Sequence, residues 1–152
     1  MGNRVFCIGE LLIDMICVDN KGLKDGEKFE KKAGGAPANV AASISKLGGK
    51  SYFLGQVGND FFGTYLVEML KSLNINTDMT VKDGNTTLAL VGIDVSGERN
   101  FDFIRGSDGD YSFDKIDILR IRLRLGNRYQ DLQQRGGCRR VWQSTAQSVR
   151  CS

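Results

Sequence analysis

The sequence predicts an α/β fold built around a parallel sheet, and three observations carry that prediction. Short apolar runs at residues 4–9 and 51–57 are closed by glycine, as buried strands often are. Helix-period stretches at residues 37–47 and 61–73 each come before or after such a run. The resulting order of strand, helix, strand, helix suits a parallel sheet, whose neighbouring strands need a long crossover.

Residues 4–9 form the first strand. Residues 11–18 continue extended, with Asp14 set among Leu12, Ile13, Met15 and Ile16. A carboxylate in an apolar segment is costly to bury without partners, so Asp14 is expected at a strand end, facing a backbone amide or a ligand. Residues 21–32 are polar, and 28–32 suit an edge strand. The stretch AGGAPANVAASISKLGG at residues 33–49 then reads as a glycine pair running into a helix. Pro37 suits the first helical position, where a missing N–H costs nothing. Val40, Ala41, Ile44 and Leu47 give the helix an apolar stripe, and Gly48-Gly49 ends it. Residues 51–57 form the next strand. Asn59 or Asp60 caps a second helix whose buried face is Phe62, Leu66, Met69, Leu70 and Leu73. Beyond Asn74, residues 87–95 and 99–104 read as strands of a hairpin joined by Ser96-Gly97-Glu98. That hairpin is either a flap over a site or an edge of the main sheet.

Composition narrows the functional classes. An apolar fraction of 41% and a charged fraction of 26% are those of a globular domain. No run approaches the ~18 apolar residues of a spanning helix. Glu10 and Asp14 break up the apolar amino terminus, so no secretory signal is read and a cytoplasmic location is expected. The chain has no histidine, which excludes His-based triads and His general bases. Cys7, Cys17, Cys138 and Cys151 show no CxxC spacing, and no structural metal site is expected. Cys7 and Cys17 lie in strand-like segments and read as small buried hydrophobes.

The charge is unevenly distributed. Residues 1–119 carry ten Lys and three Arg against 17 acids, a net charge of −4. Residues 120–152 carry eight Arg, no Lys and the single acid Asp131, a net charge of +7. Three readings compete for this Arg/Gln-rich tail: a nucleic-acid arm, a disordered or partner-bound extension, and an out-of-frame segment. The abrupt switch from lysine to arginine favours the last. Tyr129 and Trp142 are too few aromatics for a nucleic-acid surface, and no nucleic-acid partner is expected. The other reading frames of the coding DNA beyond codon 119 separate these readings.

The chemistry concentrates around residues 33–39. Glycines let a backbone approach a ligand closely, and the first turn of a helix presents free N–H donors. Asn39 both donates and accepts. The pattern fits a small polar ligand at a helix start, and equally an ordinary capped helix after a flexible loop.

Four segments in order resemble the amino-terminal half of the ribokinase-like (PfkB) sugar kinases. They are GELLIDM at 9–15, GGAPANVAASISKLG at 34–48, LGQVGNDFFG at 54–63 and ERNFDFIR at 98–105. The last is closer to fructokinases than to ribokinase, and the resemblance covers roughly residues 4–119. It implies an αβα sandwich with a small β lid formed by about residues 11–32 and 87–105, with a sugar bound between them. In that family the residues matching Asp14, Gly34, Gly35 and Asn39 contact the sugar. Phe101 and Phe103 would wall the pocket from the lid, or serve as lid core or dimer contact. Arg105 would meet a sugar hydroxyl or acid group, or stay solvated.

The resemblance further implies ATP and Mg2+ as the full-length parent's cofactors and fructose or a related keto-sugar as its substrate. A homodimer through the lid is a further implied partner. The family's catalytic aspartate belongs to a GAGD-type motif of the second half. No GAGD stands here, and Gly106-Ser107-Asp108-Gly109-Asp110 is only an echo of it. The chain is therefore expected to be the sugar-binding half of a carbohydrate kinase, inactive by itself. A non-catalytic assembly module using the lid strands is the alternative. A dinucleotide-binding domain is disfavoured, since Gly9-Glu10-Leu11 is no Rossmann fingerprint.

Overall fold

The computed structural model describes residues 4–93, 97–111 and 121. Apart from Ile121, these belong to the first of two compact units into which the chain divides, Met1–Ile116. The tail discussed above, but for Ile121, lies outside the described residues. In chain order the elements are β1 (Arg4–Ile8), β2 (Leu12–Cys17), the single turn α1 (Gly22–Asp25), β3 (Phe29–Gly34), α2 (Ala36–Lys46), β4 (Lys50–Val57), α3 (Phe61–Ser72), β5 (Asn76–Lys82), β6 (Leu88–Ile93) and β7 (Arg99–Ile104). A 3₁₀ turn, Ser107–Asp110, follows.

The strands form two sheets. The first is parallel, in the order β1-β4-β5. Helix α2 packs on β1 and β4, and α3 packs on β5. Their shared core holds Ile13, Phe53, Leu66 and Ala41, all fully buried. Each large aliphatic or aromatic member contributes roughly 1.5–3 kcal/mol through removal from water. The second sheet has the order β3-β2-β6-β7. Its β2–β6 pair is parallel and its outer pairs are antiparallel, so the predicted hairpin is not part of the parallel sheet. The predicted edge strand is β3, at the end of this order. Lys31 on β3 holds its ammonium 4.0 Å from the centre of the Tyr65 ring on α3, tying the second sheet to the first layer.

Several local details differ from the sequence reading. Helix α2 starts at Ala36, which puts Pro37 second, a position whose N–H would lie outside the helical ladder, so its absence still costs nothing. Its buried side is Ala38 and Ala41, while Val40 is 53% and Leu47 88% exposed. Small residues let this helix lie close on the sheet, and a hydrophobicity pattern undervalues them. Strand β5 was not expected, because NTDMTVK alternates buried Thr77 and Met79 with polar neighbours. The single turn α1 is too short to show any period.

A compact hydrogen-bond node joins the two sheets. Asp60 caps α3, its Oδ1 accepting from Gly63 N at 2.7 Å. The same carboxylate accepts from Thr86 N at 2.8 Å and from Thr86 Oγ1 at 2.7 Å. Thr86 lies on the crossing from β5 to β6, and Ser107 N donates to Asn85 O on that crossing at 2.8 Å. Burial pushes the Asp60 carboxyl up, but donors from Gly63, Thr86 and the Phe62 backbone together outweigh it and hold it below the usual range.

Asp60→Ala removes a helix cap and strands the buried Thr86, so we expect a loss of about 3 kcal/mol. The corresponding drop in thermal midpoint is roughly 10–20 °C. A carboxylate with a lowered folded pKa stabilises most above its unfolded pKa and less as pH falls through the folded one. The gap between wild type and variant should therefore narrow below about pH 4, which thermal melts across pH will show.

Candidate functional site

Asp14 is the third residue of β2, in mid-strand rather than at a strand end. The end position was expected because burial of a carboxylate is costly; the cost is limited here because this face of the sheet is half open. Register fixes which residues share that face. Asp14 pairs with Lys32 on β3 and with Ala89 on β6, and Ala89 pairs with Phe103 on β7. Lys32, Asp14, Ala89 and Phe103 therefore form one row across the sheet. Ile16, Glu30, Val91 and Phe101 form the next row on the same side.

Asp14 and Gly34 are closely packed. Gly34 lies on this same face, and a Cβ added there would collide with both carboxylate oxygens of Asp14. Only a residue without a side chain leaves the carboxylate where it is. Gly35 follows with φ +111°, a conformation that L side chains rarely adopt, and a Cβ there would strike Glu10 O. Gly35 is the N-cap of α2, so the glycine pair turns the chain from β3 directly into the helix. Asn39 lies in the first turns of α2, exposed, with its N–H bonded to Gly35 O at 3.0 Å. Among the described residues no hydrogen bond joins its side chain to Asp14.

The Asp14 carboxyl is pushed above its ordinary pKa by burial alone. Among the described residues no hydrogen bond or ion pair engages it. Lys32, its neighbour across the strands, is instead paired with Glu30 at 2.5 Å. The site thus holds a half-buried acceptor that no side chain or backbone donor among the described residues engages.

Phe101 and Phe103 are 58% and 43% exposed, which does not suit a lid core. The Arg105 guanidinium carbon lies 4.4 Å from the centre of the Phe103 ring. The structure therefore brings Asp14, Gly34, Phe101 and Phe103 to one face and stacks Arg105 on Phe103. Gly35 and Asn39 follow directly from Gly34 at its border. Sequence reasoning missed Thr87 and Asp108. Thr87 is fully buried; its Oγ1 accepts from Gly106 N at 2.7 Å and donates to Asp108 Oδ1. Strand register was the signal that could have found them, since extending the β6–β7 pairing by one step sets Thr87 opposite Arg105.

The chain is similar to known proteins in both sequence and fold. The family model described as pfkB family carbohydrate kinase matches residues 3–128. Fructokinase-2 of Zea mays is 46% identical over 112 residues, covering 71% of this chain and 33% of that protein. The crystal structure of fructokinase from Xylella fastidiosa with bound ATP aligns with a TM-score of 0.59 at 39% identity, covering 67% of this chain and 30% of that one. The fructokinase of Halothermothrix orenii aligns with a TM-score of 0.65 at 32% identity, covering 70% and 39%. The chain spans about a third of the length of the curated relatives it matches.

Proposed function

The chain belongs to the pfkB family of carbohydrate kinases and has its ribokinase-like fold, and from that premise we propose that it supplies the sugar-binding part of a fructokinase-like, ATP-dependent phosphotransferase. One observation carries the reading: the Asp14 carboxylate is half-buried, packed on Gly34, and without a donor among the described residues. A polyhydroxy compound brings adjacent O–H donors to such an acceptor. In this reading Asp14 accepts from two sugar hydroxyls. Gly34 and Gly35 let the ligand approach the backbone, and the exposed Asn39 amide adds a donor and an acceptor. Phe101 and Phe103 cover the apolar face of the sugar ring, and Arg105 donates to an outer oxygen. Relatives named as fructokinases support fructose or a related keto-sugar.

Phosphoryl transfer also needs a nucleotide site, a base near the attacking hydroxyl and charge stabilisation. Among the described residues no group of three Cys, Asp or Glu side chains is placed to hold a metal ion. The sequence carries neither a GAGD motif nor a Walker loop. These residues do not fit ATP and Mg2+ by themselves.

A second reading, assembly through the lid, is favoured by the exposed apolar surface of Phe101, Phe103 and Ile104 on β7, an end strand of its sheet. It makes the chain a homodimerising module without sugar chemistry.

Calorimetric titration of the 152-residue chain with fructose tests the proposal. We expect saturable binding, lost at least tenfold in Asp14→Ala with the thermal midpoint little changed, and no turnover with ATP in a coupled assay. Binding unaffected by Asp14→Ala would refute the assignment. A concentration-dependent dimer that binds no sugar favours the assembly reading.

A further inference from the structure

We propose that Asp108 is a positioning residue for Arg105 and biases this face of the second sheet toward neutral sugars over sugar acids, an inference that rests on the sugar-site reading above. The Asp108 side chain is only 6% exposed, and a carboxylate that is buried needs partners. It has two. The Thr87 hydroxyl donates to Oδ1, and Arg105 Nη1 lies 3.9 Å from Oδ2. Thr87 is itself fixed: Gly106 N donates to its hydroxyl, and its carbonyl accepts from Ile13 N at 3.1 Å, one residue before Asp14. Asp108 is thus anchored to the strand that carries Asp14.

Arg105 is held from two sides, by the Phe103 ring beneath its guanidinium and by Asp108 beside it. Its remaining donors stay in solvent, since the side chain is 66% exposed. The charge around them is negative on balance, three carboxylates against two cations. Asp14, Glu30 and Asp108 face Arg105 and Lys32 across this part of the sheet, and Lys32 is already paired with Glu30. A ligand carboxylate approaching Arg105 meets Asp108 at the same moment, and Asp14 lies two strands away. An uncharged polyol takes the same guanidinium donors without that repulsion. Discrimination of this kind comes as much from an unfavourable term against the wrong ligand as from contacts to the right one.

The test compares fructose with the acid sugar 2-keto-3-deoxygluconate by calorimetry on the 152-residue chain. Asp108→Asn keeps the shape and the acceptor for Thr87 but removes the charge. We expect the affinity ratio of acid to neutral sugar to rise at least fivefold, by less at high salt. In the Arg105→Gln background the same change should leave that ratio within twofold. Equal losses for both sugars would mean that Asp108 is only structural and would overturn the inference. So would an equal rise of the ratio without Arg105. If Asp108→Asn fails to fold, Arg105→Gln alone decides: a larger loss for the acid than for fructose supports the inference, and equal losses overturn it. A wild-type chain that binds neither sugar removes the sugar-site reading itself and this inference with it, an outcome distinct from an unchanged ratio in a chain that does bind fructose.

Discussion

The packing of the Asp14 carboxylate against Gly34 is the constraint on which the rest of the site depends. A carboxylate half out of water, with no donor among the described residues, is unfavourable for folding, and burial raises its pKa accordingly. The fold tolerates it because β2 and β3 are in register across a glycine that leaves room for two oxygens. The same glycine is followed by Gly35, whose positive φ turns the chain straight into α2. One short stretch thereby sets the acceptor, the open backbone beside it and the start of the helix carrying Asn39. A local violation of the rule that buried polar groups are paired is expected at functional sites and motivates the proposal made for this face.

The second sheet would be of little use if it were free to drift. Besides Ile13 of β2 in the shared core, specific contacts hold it. The Asp60–Thr86 node fixes the crossing into β6, and the Lys31–Tyr65 contact holds the β3 edge against α3. Thr87, next in the chain to Thr86, then passes this placement on to β2 through Ile13 N. Asp60 is therefore more than a helix cap. It ties the parallel layer that provides the core to the sheet that carries the candidate site.

Much of this was legible in the residues. Strands β1, β4, β6 and β7, the helix after Gly34-Gly35 and the cap at Asp60 follow from period, glycine placement and capping chemistry. What escaped did so for physical reasons. In α2 the buried positions are alanines, whose role is close approach rather than hydrophobic mass; the apolar stripe read from the sequence includes Ala41 but omits Ala38 and counts the exposed Val40 and Leu47. In β5 the outward residues are polar enough to hide an alternation only two residues deep. Asp14 stands out in the sequence as a candidate but is expected at a strand end, because its tolerance in mid-strand depends on a half-open sheet face that one segment alone does not reveal. The Thr87–Asp108–Arg105 cluster depends on register between β6 and β7, a long-range property invisible to local pattern.

The most direct measurement is the titration of the Asp14 carboxyl by its carbon-13 resonance, with and without saturating fructose. Without sugar, the account predicts a pKa above that of an exposed aspartate. With sugar bound, hydroxyl donors favour the charged form, so the pKa should fall. An Asp14 resonance that titrates identically in both conditions, while fructose is bound elsewhere or not at all, would contradict the claim that this carboxylate is the acceptor around which the site is built.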